Sequence, residues 1–442
     1  MARRAALLAL ALLASCGKDE PEPRAWSAHD EQIARFQSQQ GRLEARGRWR
    51  ELPGLGADSE LSEEERAALR ELEAVGYAAG VRDARALTGV TRHDPERAHA
   101  GLNLYTSGHA AQALLVDMQG RVLHRWSKDF LDVWPDFPPE QSIPGLQYWR
   151  RAHLSENGDL LAIHEGLALV KLDRDSQVLW ALDNRAHHDL EVQPDGRIFV
   201  LTREPHVVER IHPRLPVLED YVVVLGPDGE ERRRVSVLEC VERSELEIDL
   251  RARVEHNQDI FHTNSLEVLD GSLASRVSAF RRGNVLVSLR HLDLLAVLDL
   301  RERRVVWAAQ GEWRAQHDPT VLPSGRLLLF DNEGVFRLGG EEHASTVLEL
   351  DPLDLSVGWR YRGSELEPFY SETCGTAQRL PGGTTLITES DAGRAFEVTR
   401  EGEVVWEYWN PHRAGPGGRY IATLFEMVRL PADFPVDWAR GE

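Results

Sequence analysis

Lysine is almost missing from this chain: among 442 residues it stands only at Lys18, Lys128 and Lys171. Arginine carries nearly all the positive charge, so chemistry that needs a lysine amine, such as a Schiff base, has few places to occur. Cysteine is as scarce, with three residues, too few for a disulfide scaffold or a cysteine-built zinc module. The 35 glycines and 22 prolines exclude a collagen-like chain, and 42% hydrophobic residues exclude a fully disordered one. Positive charge is in deficit: 52 basic against 72 acidic residues leave a net charge of −20. Such a balance repels a phosphate backbone, so no nucleic-acid partner is expected. No apolar run reaches the ~20 residues that a membrane-spanning helix needs.

The one short apolar run, Ala5 to Ala14, follows Arg3 and Arg4 and ends at Leu13-Ala14-Ser15-Cys16. Its length suits the h-region of an export signal. The small residues ahead of Cys16 resemble the bacterial lipoprotein lipobox, in which the cysteine thiol is acylated. That resemblance implies a signal peptide over 1–15 and an exported chain held by lipid on Cys16. Gly17 rather than an aspartate implies the outer membrane, facing the periplasm. Acyl chains make a transmembrane helix unnecessary, so contact with the membrane is expected through the lipid alone. Cys240 and Cys374 then remain as thiols. Their distance along the chain weighs against pairing, although an exported protein meets an oxidising compartment.

Residues 16–98 read as a polar tether with a short helical element. Ser62-Glu-Glu-Glu65 is a capping box ahead of Ala67, Leu69, Leu72 and Val75, with Gly76 or Gly80 as the stop. From 99 to 435 the texture is β-rich and repeats itself. One unit is a turn followed by an apolar strand that ends in Trp: Asp117 to Trp126, Asp173 to Trp180, Asp299 to Trp307, Asp351 to Trp359 and Arg400 to Trp406. A version without Trp runs from Asp228-Gly229 to Val235. A second unit is a strand, a Gly-containing turn and another strand, around Gly158, Gly196, Gly283, Gly325 and Gly383. Its sixth copy, Val428-Arg-Leu-Pro431, lies at the far end of the chain, away from its partner strands at 102–127. These repeats predict an all-β fold, a six-bladed β-propeller closed by the C-terminal strand. The rival is an array of β-sandwiches. An insertion of about forty residues is expected near Glu204 to Gln258.

The inner strands of a propeller line its axis. Aligned on the turns, His188 and His317 each stand six residues before a proline, and the equivalent positions are about Arg150, Gly375 and Phe425. His262 is close to the same register. Asn264 follows it by two and shares its face on a strand. Arg290 lies on the strand after the Gly283 turn. Asp331-Asn332, at the matching place in the next unit, reads first as the end of a strand. A lone His is more often structural than functional; three at matched register point to a site at one mouth of the channel.

Several stretches resemble the bacterial arylsulfotransferase family: His187-His-Asp189, Phe261-His-Thr-Asn-Ser265, Val287-Ser-Leu-Arg290, Gln316-His-Asp318, Phe330-Asp-Asn332, Gln378-Arg-Leu-Pro381 and Phe396-Glu-Val398. The resemblance covers about 100–430. It implies a six-bladed propeller that moves a sulfuryl group from an aryl sulfate to a phenol, with no nucleotide donor, cofactor or metal. It implies that His317 becomes sulfated, and that His188, His262, Asn264 and Arg290 hold the sulfuryl oxygens or help move protons. His187 and Asp318, inside the same stretches, are expected to contribute to binding.

The chemistry of these residues agrees. Neutral imidazole is nucleophilic near pH 7, and a covalent intermediate divides the transfer into two steps. Fixed donors must then meet charge on the sulfuryl oxygens. His188 or His262 near neutral pKa would give the leaving phenol its proton, and Asp189 or Asp318 would orient a ring. Phe261 and the Trp side chains read as core. Two other functions fit the pattern less fully: a hydrolase or lyase with zinc on His188, His262 and His317, and a non-catalytic propeller that presents a loop face.

Overall fold

The computed structural model describes residues 48–51, 87–137, 144–332, 344–364, 369–414, 418 and 420–439. The signal segment, Cys16 and the helical segment around Ser62 lie outside the described residues. Six antiparallel sheets form a closed ring, each in contact with the next. They are blades 1 to 6 here. Their inner strands are Leu424–Leu430, Trp149–Leu154, Ala186–Val192, Thr263–Val268, His317–Val321 and Thr376–Arg379.

Blade 1 is closed from both ends of the chain. Leu424–Leu430 pairs antiparallel with Leu102–Ser107, as the displaced sixth copy of the turn repeat predicts. Closure joins the first and last strands of the array in one sheet and leaves each blade only its short inner and outer edges. Gly89–His93, in the stretch read as tether, adds a fifth strand to blade 6 against Val404–Trp409. Trp49–Glu51 pairs with Tyr420–Ala422.

The middle strands, such as Val285–Leu289 and Leu327–Asp331, are buried at every position. Each blade is packed between two others, so both faces of its sheet need apolar side chains. Val285, Val287 and Leu289 face blade 3, while Leu286 joins the layer shared with blade 5. The repeated Trp residues sit on the outer strands and fasten neighbouring blades. The indole of Trp126 donates to the Gly158 carbonyl in blade 2 at 3.1 Å, and that of Trp406 to Met118 in blade 1 at 2.9 Å. Trp180 and Trp359 make the same kind of bond to Pro227 and Arg400.

The expected insertion is two features. The second and third strands of blade 3, Ile198–Val207 and Pro216–Leu225, overrun the blade as a long hairpin. Helices Val237–Glu242 and Leu250–His256 then cover the edge of blades 3 and 4. Cys240 and Cys374 are both buried free thiols.

Candidate active site

The inner strands share a local irregularity. Pairing with the second strand shifts between Trp149 and Arg151, Ala186 and Leu190, Thr263 and Ser265, His317 and Thr320, and Leu424 and Glu426. A bulge turns a side chain out of the regular alternation. Here it does so at one level in five blades, at Arg150, His188, Asn264, the His317-Asp318 step and Phe425. In blade 6 the same level is Gly375, at φ +97°. Arg150, His188, His317, Gly375 and Phe425 are the positions that the repeat alignment sets in one register. In blade 4 Asn264 occupies the level, and His262 stands two residues earlier at φ +50°.

The structure brings His188, His262, Asn264, Arg290 and His317 together. The rings of His188 and His262 lie 4.8 Å apart. The Asn264 amide donates to the carbonyl of Gln316, next to His317, at 2.8 Å, and its own Oδ1 is buried without a partner. Burial, then the charges of Arg290 and Arg150, hold His317 well below the usual imidazole range. Burial does the same to His188. It pushes His262 down to about 3, against the pull of Asp259. All three rings are therefore neutral at pH 7. This corrects the expectation that His188 or His262 supplies a proton from a near-neutral pKa.

Each ring is oriented by a group to which the sequence reading gave no such role. His317 Nδ1 lies 2.6 Å from Asn332 Oδ1 and 3.0 Å from the Ala315 carbonyl. The Asn332 amide nitrogen donates to the carbonyls of Ser371 and Cys374, so its oxygen must face His317. His262 Nδ1 lies 2.6 Å from Asp259 Oδ2, and Asp259 also accepts from the His262 amide. His188 Nδ1 is 2.9 Å from His187 Nδ1 and 3.4 Å from Glu165 Oε1. Asp259 stands in an irregular loop and Glu165 in a turn of blade 2, where no periodicity points to a target. Asn332 was read as the end of a strand and stands in the Phe330-Asp-Asn332 stretch, but with no role assigned to it.

Two expected site residues stand elsewhere. His187 is behind His188, almost fully buried, with Nε2 at 3.4 Å from Asp220. Asp318 and Asp189 orient no imidazole. They belong to the layer beneath, where Arg151 reaches Asp189 at 2.9 Å, Glu426 at 2.6 Å and Asp318 at 3.7 Å. Asp189 and Asp318 also accept the backbone amides of Leu266 and Ala377 in the next blade. Glu191 and Glu267 do likewise for Val268 and Val321. Inner strands are sheet edges, and these carboxylates satisfy amides that no neighbouring strand reaches.

Among the described residues, two groups bring possible metal ligands within 4.8 Å of one another: Glu165, His187 and His188, and Asp259, His262 and His291. His188, His262 and His317 do not form such a group.

No curated protein matches the chain in sequence. A protein from Bacteroides caccae is similar in structure, at 12% identity and TM-score 0.46, covering 74% of this chain and 98% of that one. The Cps50 (Swd1) β-propeller domain of Myceliophteria thermophila covers 77% and 99% at 12% identity and TM-score 0.44. A streptogramin B lyase covers 76% and 92% at 10% identity and TM-score 0.41. The model of the family described as "Arylsulfotransferase (ASST)" matches residues 151–411, more than half of the chain and most of the propeller with its His, Asn and Arg cluster, and the chain belongs to that family.

Proposed function

We infer that this protein transfers a sulfuryl group from an aryl sulfate to a phenol through a sulfohistidine at His317. The observation that carries this is the fixed tautomer of His317. Both groups at its Nδ1 are acceptors, the Asn332 oxygen and the Ala315 carbonyl. The proton therefore resides on Nδ1, and Nε2 keeps its lone pair. A buried, neutral and oriented imidazole is an activated nucleophile without a separate base.

In the first half-reaction Nε2 attacks sulfur. The N–S bond forms, the S–O(aryl) bond breaks, and its electron pair leaves on the phenolate. Arg290 and the second amide proton of Asn264 meet the sulfuryl oxygens. In the second, the oxygen of an acceptor phenol attacks the same sulfur. His262 Nε2 takes its proton, and Asp259 steadies the imidazolium as it forms. The N–S pair returns to His317, and the proton passes through solvent to the first phenolate.

The test is incubation with 4-nitrophenyl sulfate alone, followed by intact-mass and peptide analysis. One sulfuryl adduct on His317, absent from His317→Ala, is expected. An adduct on another residue reassigns the nucleophile, and turnover retained in His317→Ala overturns the covalent route.

The Asp259, His262 and His291 group favours a second reading, a metal-dependent reaction. Stoichiometric zinc in purified protein, lost in Asp259→Ala, would replace the sulfuryl reading. Export and acylation at Cys16 rest on the lipobox-like sequence. A Cys16→Ala chain should lose its lipid and its membrane association. Among the described residues no helix is long and apolar enough to cross a membrane.

A further inference from the structure

The proposed reaction leaves one charge without a partner. When the S–O(aryl) bond breaks, negative charge collects on the departing phenol oxygen. Arg290 and Asn264 serve the sulfuryl oxygens. His188 and His262 are held neutral by burial, so neither offers an imidazolium proton in that step.

Displacement at a tetrahedral centre sets the entering and leaving atoms on opposite sides, as in phosphoryl transfer. The entering atom is on blade 5. In a closed ring of six, the blade opposite is blade 2. There, at the level of His317, stands Arg150. The layer below measures the span: Arg151, the next residue on blade 2, reaches Asp318, the next on blade 5, at 3.7 Å. One residue nearer the mouth, the charge of Arg150 depresses both His317 and His188.

Arg150 is held for a purpose that its own contacts do not use up. It is 5% exposed. Its guanidinium lies over the Phe425 ring at 5.3 Å, and Phe425 is steadied by Tyr148 at 4.7 Å. That contact takes the face of the fork and leaves its N–H edges. Nε is 3.7 Å from Glu165, longer than a hydrogen bond. Nη1 is buried with no partner at all. A buried guanidinium edge with unmet donors calls for an anion.

We propose that Arg150 is a catalytic residue that binds the phenolate oxygen, stabilising it as it leaves the donor and as it enters from the acceptor. Sulfuryl transfer then needs no general acid on the leaving side, because a permanent cation takes that place. The inference rests on the sulfuryl-transfer reading above, and its consequences separate from that reading.

The first measurement is phenol release from a series of aryl sulfates, from 4-nitrophenyl sulfate to phenyl sulfate, whose phenol titrates near about 10. Arg150→Gln should slow phenyl sulfate by roughly 10²–10³-fold, the loss typical of one oxyanion donor. It should slow 4-nitrophenyl sulfate far less, and Arg150→Lys should recover part of the difference. An equal loss along the series, or none, overturns the proposal while the adduct on His317 leaves the function standing. The second measurement needs no turnover. In His317→Ala, bound 4-nitrophenol should ionise at lower pH than free 4-nitrophenol, read by absorbance, and adding Arg150→Gln should remove the shift. Binding without a shift overturns the role of Arg150. Absence of any adduct in the native protein, with the shift present, removes the transfer reading and keeps Arg150 as a phenolate site.

Discussion

The proton on His317 Nδ1 has two acceptors around it, and everything asked of the nucleophile follows from that. Burial and two arginine charges lower its pKa, and the unprotonated ring is the reactive one. Donor-only phenol release should therefore show no break near about 6.5, where an ordinary imidazole titrates, and should fall only at more acid pH. A stopped-flow pH series checks this. Asn332→Leu removes one of the two acceptors from Nδ1, takes the Asn332 donor from the Cys374 carbonyl and leaves that of Ser371 with the Ser345 hydroxyl. It should cut donor-only release and cost about 1–3 kcal/mol in urea unfolding for the unmet Cys374 carbonyl. Asp259→Asn divides the reaction differently. It should leave the first burst of phenol intact and slow steady turnover with acceptor by about 10²–10⁴-fold, because only the acceptor step uses His262 as a base.

At the scale of elements, the inner strands are the weak edge of the fold. Their amides rely on carboxylates from the preceding blade. Glu267 accepts from Val321 at 2.7 Å, and burial pushes its carboxyl up to about 8. What the strand needs is an acceptor oxygen, not a charge. Glu267→Gln should therefore hold stability at pH 8 or raise it, while Glu267→Ala should lower it by about 1–3 kcal/mol for the unmet amide. Urea midpoints of the two variants decide between a hydrogen-bonding and an ionic role. The outer edge works otherwise. Trp126 is fully buried and spans blades 1 and 2, so its loss opens a cavity as well as breaking a bond.

The whole molecule carries two opposed sets of buried titrating groups. Burial depresses nine imidazoles among the described residues: His109, His153, His164, His187, His188, His262, His291, His317 and His412. Unfolded, they take up protons below about 6.5; folded, they refuse them. Folding is therefore penalised increasingly as pH falls from about 6.5. Six carboxyls are raised: Glu191, Asp220, Glu267, Asp318, Glu389 and Glu426. Glu191 and Glu426 reach about 7 and Glu267 about 8. Unfolded, they release protons near about 4, so they penalise folding increasingly as pH rises through the folded values. Below about 6.5 the imidazoles outnumber the carboxyls and stability rises with pH; above it only the carboxyls act and stability falls. The urea midpoint should be highest near pH 6.5 and lower at both 5 and 8.

Repetition made the fold legible in the linear chain. The Trp strands and Gly turns recur because each blade faces the same packing problem, and the displaced copy at Val428-Arg-Leu-Pro431 shows where the ring closes. The shared register of Arg150, His188 and His317 was legible for the same reason. What orients those residues was not. Asp259 is only three residues from His262 but stands in an irregular loop, where no periodicity marks the contact. Asn332 follows the neighbouring strand and Glu165 comes from the blade before, so their contacts arise only in the folded chain. The opposition of Arg150 to His317 exists only once six blades close, since it depends on a count around the ring and not on distance in sequence. Charge state was decided there as well. A histidine in a sequence is an imidazole that titrates near neutrality, and only burial on the axis turns three of them into neutral bases.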